Sequence, residues 1–185
     1  MNKVLIYLLL LGCFTSCKTK KLDSTKAYFS VVDYLKAEVK KMDSIPLHLI
    51  KITSIDSTSD TTMTTKEEFN KYAEEFINIP DIASPGKMDD YTEANDFDEI
   101  MNNVLLMYTA KKEDAVVRSE TIMMQPDDVG NTQVKTILIT TVKTENDAAV
   151  EKSMTWHLNK RFQIVTKMNK SGQPEKITTI IISWE

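Results

Sequence analysis

Glycine is scarce in this chain, with four residues in 185, at positions 12, 86, 130 and 172. A dinucleotide-binding fingerprint or a P-loop needs several glycines within a few positions, so neither can be assembled here. Cysteine is scarcer still, confined to Cys13 and Cys17. Beyond them the chain has no thiolate nucleophile, no disulfide and no cysteine metal site. Only His48 and His157 could act as imidazole bases, and a zinc site built on two histidines would need carboxylates as well. A basic stripe is missing too. With 23 cations against 27 acids the net charge is −4, which leaves no electrostatic footprint for nucleic acid. Nor is there a long hydrophobic run, because VLIYLLLLGCF at 4–14 falls well short of the roughly 20 apolar residues that span a bilayer.

What that short run does form, with Lys3 before it and small polar residues after it, is the layout of a secretory leader over residues 1–16. The context Phe14-Thr15-Ser16-Cys17 resembles a bacterial lipobox, in which the cysteine becomes the acylated first residue of the mature chain. Leu10-Leu11-Gly12-Cys13 resembles one as well and fits the common residue types better. Cys17 leaves a full-length apolar region and a small Ser16 before the cut, so Cys17 is taken as the lipidation site. An ordinary leader would instead leave a free thiol, a liability in an oxidising compartment. Residues 17–22 then form a lipid-anchored basic tether carrying Lys18, Lys20 and Lys21. Each lysine near anionic head groups contributes about 1 kcal/mol and each buried acyl methylene about 0.8 kcal/mol, so the lipid dominates. Acidic residues directly after the cysteine resemble the surface-export signal of some Bacteroidota lipoproteins. Their absence here favours an outer-membrane anchor facing the periplasm.

Residues 23–185 suit one domain, long enough to bury a core without staples. A first helix is expected from Asp23 or Ser24 to the stop at Asp43, Ser44 and Pro46, with Tyr28, Val31, Val32, Leu35, Val39 and Met42 on one stripe. Residues 47–65 read as a hairpin turning through 56–60. A second helix starts at Thr65, in capping-box spacing with Glu68, carries Phe69, Tyr72, Ala73, Phe76 and Ile77, and ends before Pro80. Seven acids against Lys87 alone, over 81–99, lack the order of a calcium loop and read as a solvated acidic linker. Six strands follow, at 103–110, 115–124, 132–143, 152–159, 162–169 and 176–184. Short links imply an antiparallel meander. The last strand, ITTIIISW, is apolar on both faces and belongs inside the sheet. The expected fold is therefore α+β: two N-terminal helices and a short hairpin packed against a curved sheet of about six strands.

Within that sheet the stretch SMTWHLNKRFQIVTKM at 153–168 is a hairpin. Met154, Trp156 and Leu158 alternate with polar residues, as do Phe162, Ile164 and Met168. Opposed residues share a face, so both sets reach one core if Leu158 faces Phe162 across a three-residue loop, Asn159 to Arg161, or an odd-numbered relative. That pairing sets Trp156 across from Ile164. Parity puts His157 on the solvent face beside Ser153 and Thr155, a grouping that suggests nucleophilic catalysis but is also what any exposed strand carries. No nucleophile-elbow glycines accompany it. Trp156, Trp184, Phe162, Tyr108 and the methionines could line a lipophilic cavity, although apolar stripes ordinarily pack as core.

From Tyr28 onward the chain resembles a group of small uncharacterised Bacteroidota lipoproteins. Tyr28-Phe29, Ile77-Asn78 before Pro80, Asp90-Tyr91, and Tyr108-Thr109-Ala110-Lys111 with Arg118 carry the resemblance. It departs at Ser57-Thr58-Ser59, where the group often has an Asn-Gly turn, and at Phe69, where it often has tryptophan. No catalytic residue or cofactor carries over from the group. The expectation is a non-enzymatic envelope lipoprotein that binds a partner protein or a small apolar ligand. The alternative is an enzyme with the outline of nuclear transport factor 2-like proteins, with acids and tyrosines in a pocket between sheet and helices.

Overall fold

The computed structural model describes residues 28–127, 129 and 131–184. In chain order its elements are α1 (Val31–Asp43), β1 (Leu49–Ile55), β2 (Thr58–Met63), α2 (Lys66–Ile77), a 3-10 turn (Met88–Asp90), β3 (Tyr91–Asp98), β4 (Asn103–Ala110), β5 (Val117–Pro126), β6 (Thr132–Glu145), β7 (Ala148–His157), β8 (Arg161–Lys170) and β9 (Lys176–Trp184). The nine strands make one antiparallel sheet of order β2-β1-β9-β8-β7-β6-β5-β4-β3, open at its β2 and β3 edges. Mixed helix and sheet, antiparallel pairing and the meander of the later strands agree with expectation, and β9 sits between β1 and β8.

The strand count does not agree. The first hairpin joins the sheet instead of packing on it, because β1 pairs with β9 from Leu49↔Trp184 to Ile55↔Thr178. A strand as apolar as β9 is more stable with a neighbour on each side than at an exposed edge. β3 comes from the stretch read as an acidic linker and pairs with β4 from Tyr91↔Ala110 to Asp98↔Asn103. Its acids mask its strand character, yet an edge strand with most of its residues in water tolerates them. The helices are not both N-terminal to the strands either, since β1 and β2 lie between them.

Ser30 caps α1, its Oγ accepting from the Asp33 N–H at 3.2 Å. The helix thus begins at Val31, and the expected starts Asp23 and Ser24 lie outside the described residues. Val31, Val32, Leu35 and Met42 are buried as the stripe requires. Tyr28 precedes the helix and is buried by stacking on Tyr108 at 4.3 Å between centroids. Thr65 caps α2, accepting from the Glu68 N–H at 3.3 Å, while Glu68 turns to Lys51 and Thr64. The first hairpin turns through Asp56 and Ser57 alone, with Asp56 at φ +50°, a left-handed conformation that aspartate tolerates better than most residues.

Parity in the 153–168 hairpin is as expected, but the register is not. Trp156 faces Phe162 and Met154 faces Ile164, so the loop is Leu158 to Lys160, one position earlier than expected. Asn159 supplies the reason: it takes φ +59°, and the Lys160 N–H bonds to the His157 carbonyl at 3.2 Å. Centring the turn on asparagine avoids placing a lysine or arginine in the left-handed region. Trp156 packs edge-on against Phe76 of α2 at 5.1 Å and beside Phe162 at 5.1 Å, and Phe69 packs between Phe162 and Trp184. These rings fill the space between α2 and the sheet. Among the described residues no helix is long and apolar enough to cross a membrane.

Candidate functional site

One row of residues crosses the helix-covered face of the sheet from β9 to β4: Ile180, Ile164, Met154, Ile139, Glu120 and Tyr108. A carboxyl group in such a row is out of place. A bulge sets it there. Val117 pairs with Thr141 but Ser119 pairs with Thr140, so Arg118 is the extra residue and both Val117 and Glu120 turn inward. Glu120 is fully buried, and neither of its oxygens has a hydrogen-bond partner among the described residues. Burial, and after it the negative charge of Asp81, pushes its pKa up to about 8.

Tyrosines surround this end of the row. Tyr108 lies directly across from Glu120, and its hydroxyl accepts the Phe29 N–H at 3.0 Å. Tyr91 donates its hydroxyl proton to the Val117 carbonyl at 2.9 Å, and Tyr28 donates to the Tyr91 carbonyl at 3.2 Å. Ser30 donates to Asp81 at 3.0 Å, which fixes the start of α1 over the same cluster. Burial raises the pKa of both Tyr91 and Tyr108, and the nearby Glu120 adds to each. At neutral pH such an arrangement holds a protonated carboxylic acid among neutral phenols. Chemically it could donate or accept one proton, provided that a substrate reached it.

Two concavities flank the segment 79–81 nearby. One, of about 310 Å³, is lined by Lys71, Glu74, Glu75, Val116, Lys143 and Lys152, with Lys152 bonded to Glu75 at 2.6 Å. The other, of about 280 Å³, is lined by Asp81, Lys87, Asp90, Tyr91, Lys112 and Val117. Glu120 lines neither. No family model matches the chain, and neither a curated protein nor a solved structure matches it.

Of the residues singled out from the sequence, Cys13, Cys17 and the lysines of the tether lie outside the described residues. His48 is exposed and precedes β1, and two strands, β9 and β8, separate β1 from β7 and His157. The two imidazoles therefore do not converge. His157 lies on the face away from the helices, as parity requires, but it is half-buried, and its Nδ1 is 3.1 Å from Thr136 Oγ1. Burial, then Arg161 and Lys160, lowers its pKa. Its partner is thus a buried threonine on β6 and not Ser153, which is exposed. The aromatic set expected as core or cavity packs as core. Among the described residues no cluster of His, Cys, Asp and Glu could hold a metal ion. Glu120 itself was missed, although a signal existed: it shares parity with Ile122 and Met124 in a strand whose other face carries Ser119 and Thr121.

Proposed function

We propose that this protein is a lipid-anchored envelope lipoprotein, held by acylated Cys17 in the outer membrane facing the periplasm, whose α+β domain binds a partner protein or a small apolar ligand without catalysing a reaction. The leader and the Ser16-Cys17 context support the location. The observation that carries the non-enzymatic reading is the separation of the groups capable of chemistry: Glu120 is fully buried on one face of the sheet and His157 lies on the opposite face. Labelling with radioactive palmitate tests the anchor. Cys17→Ser should lose the label and move to the soluble fraction while remaining folded, because the three tether lysines alone contribute only about 3 kcal/mol. Label that persists in Cys17→Ser and vanishes in Cys13→Ser moves the anchor to Cys13.

A second reading, the nuclear transport factor 2-like enzyme, is favoured by one observation, the elevated carboxyl of Glu120 beside Tyr91 and Tyr108. An enzyme needs that carboxyl to be reachable. Carbodiimide coupling of glycine ethyl ester to the native protein, followed by peptide mapping, decides: modification of Glu120 supports the enzyme, and protection of Glu120 until denaturation supports the binding module.

A further inference from the structure

The hairpins β3–β4 and β5–β6 end at the same level of the sheet, since Val104 pairs with both Phe97 and Met124. Their tips display large apolar side chains to solvent: Ile100 is 94% exposed, Val129 81%, Met101 61% and Phe97 51%. Two hairpins in sequence place their tips roughly 10 Å apart, close enough for one contact surface. The tips are built in the same way. Asp98 Oδ1 accepts the N–H groups of Ile100 and Met101, each at 3.0 Å. Asp127 Oδ1 accepts those of Val129 at 3.1 Å and Asn131 at 2.7 Å. An aspartate clamps each loop so that the apolar residue behind it stays outward instead of folding back onto the core. Beneath the tips the apolar surface continues along the row Phe97, Val104, Met124 and Val134, the last three half-buried. Fixed, clustered apolar exposure of this kind adds nothing to folding and marks an interaction surface.

The charge at the tips is mainly acidic. Residues 96–110 contain Asp96, Asp98 and Glu99 and no lysine or arginine, and residues 119–134 contain none of those cations either, the nearest along β6 being the exposed Lys135 after Val134. Asp96 and Glu99 at the first tip are exposed. An anionic bilayer surface attracts lysine and arginine and repels such a rim, so the patch is unsuited to entering one. A protein socket fits it: an apolar depression ringed by Lys and Arg, with buried aliphatics at the centre and opposite charges at the rim. We propose that the tips of β3–β4 and β5–β6 form one docking surface for a protein partner of that chemistry. This rests on the binding-module reading above, and it names the surface and the character of the partner.

The test is photo-crosslinking of the native acylated protein in cells, with a photoreactive residue at Ile100 or at Val129, and at Thr109, exposed on the opposite face of the sheet, as the control. Both tips should yield the same protein adduct and the control should not. The crosslinked peptide of the partner should carry apolar residues flanked by lysine or arginine. The paired change Asp96→Lys with Glu99→Lys should lower adduct yield by about tenfold or more, with an unchanged thermal melt, because charge reversal at a rim opposes association. Adducts to lipid alone, adducts indifferent to the charge reversal, or none at either tip would overturn the docking surface. Fractionation of the same cells reports the anchor separately. A membrane-bound protein without tip adducts refutes the surface and keeps the location, whereas a soluble protein with tip adducts does the reverse.

Discussion

Glu120 makes folding sensitive to pH in a direction opposite to that of a paired surface carboxylate. Its folded-state pKa of about 8 exceeds the ordinary glutamate value of 4.5, so between those values the native chain holds a proton that the unfolded chain has released. Stability from this group is fully present below pH 4.5 and is lost as pH rises through about 8, a change of roughly 5 kcal/mol at 1.36 kcal/mol per unit. Carboxylates with lowered values, such as Glu68, Glu145 and Asp127, act with the opposite sign, so the comparison must be between variants. Urea unfolding at pH 5, 7 and 9 should show Glu120→Gln losing this slope and exceeding the parent in stability at pH 9. Equal slopes in both would show that Glu120 ionises normally and that water reaches it. His157 is the second residue whose environment goes beyond its parity. On a bare solvent face, His157→Ala would cost less than about 0.5 kcal/mol. Since the Thr136 hydroxyl is buried against its ring, the expected loss is about 1–2 kcal/mol, the cost of stranding that hydroxyl. Recovery of stability in His157→Ala with Thr136→Val would assign the cost to the pair.

At the scale of elements, face was legible in the sequence and register was not. Alternation along β7 and β8 told which side chains point to the helices, because one face is apolar and the other is not. Two registers of equal parity satisfy that pattern, and the choice between them fell to Asn159, the residue best able to accept positive φ. Helix α2 was legible for a similar reason, since Phe69, Ala73 and Phe76 recur at helical spacing behind a Thr65 cap. Trp156 joins these elements. Its ring touches Phe69 and Phe76 from α2, Phe162 from β8 and Trp184 from β9, so Trp156→Ala empties a site walled on several sides. The loss should be about 3–5 kcal/mol, a large part of the roughly 5–15 kcal/mol available to a domain of this size. In a Trp184→Phe background the fluorescence of Trp156 should be blue-shifted and resist iodide. Emission at long wavelength with free quenching would place the ring in water and refute the packing.

At the scale of the whole molecule, the unforeseen features are those set by distant partners. Nothing local in residues 49–55 announces that β1 will close against β9, a pairing of residues more than a hundred positions apart, and nothing in the acids of 91–98 announces an edge strand. Glu120 belongs to the same class, because its inward position depends on the bulge against β6 and its surroundings include Tyr108 of β4 and the charge of Asp81. An open sheet leaves two strands able to pair with another chain, and this molecule protects both edges chemically. Every residue of β2 is exposed, and all but Met63 are polar. On β3 the exposed Asp96 sits on the face away from the helices, directly beside Leu105 of β4 and in the same row as Met123 of β5. A charge placed on an edge beside apolar neighbours opposes the approach of a second sheet edge. Asp96→Val should therefore leave the fold intact and extend the Leu105 and Met123 row to the rim, producing a sedimentation coefficient that rises with protein concentration more steeply than in the parent. If the two proteins sediment alike over the same range, the acids of β3 do not guard the edge, and their single sign is left to serve contact with a partner.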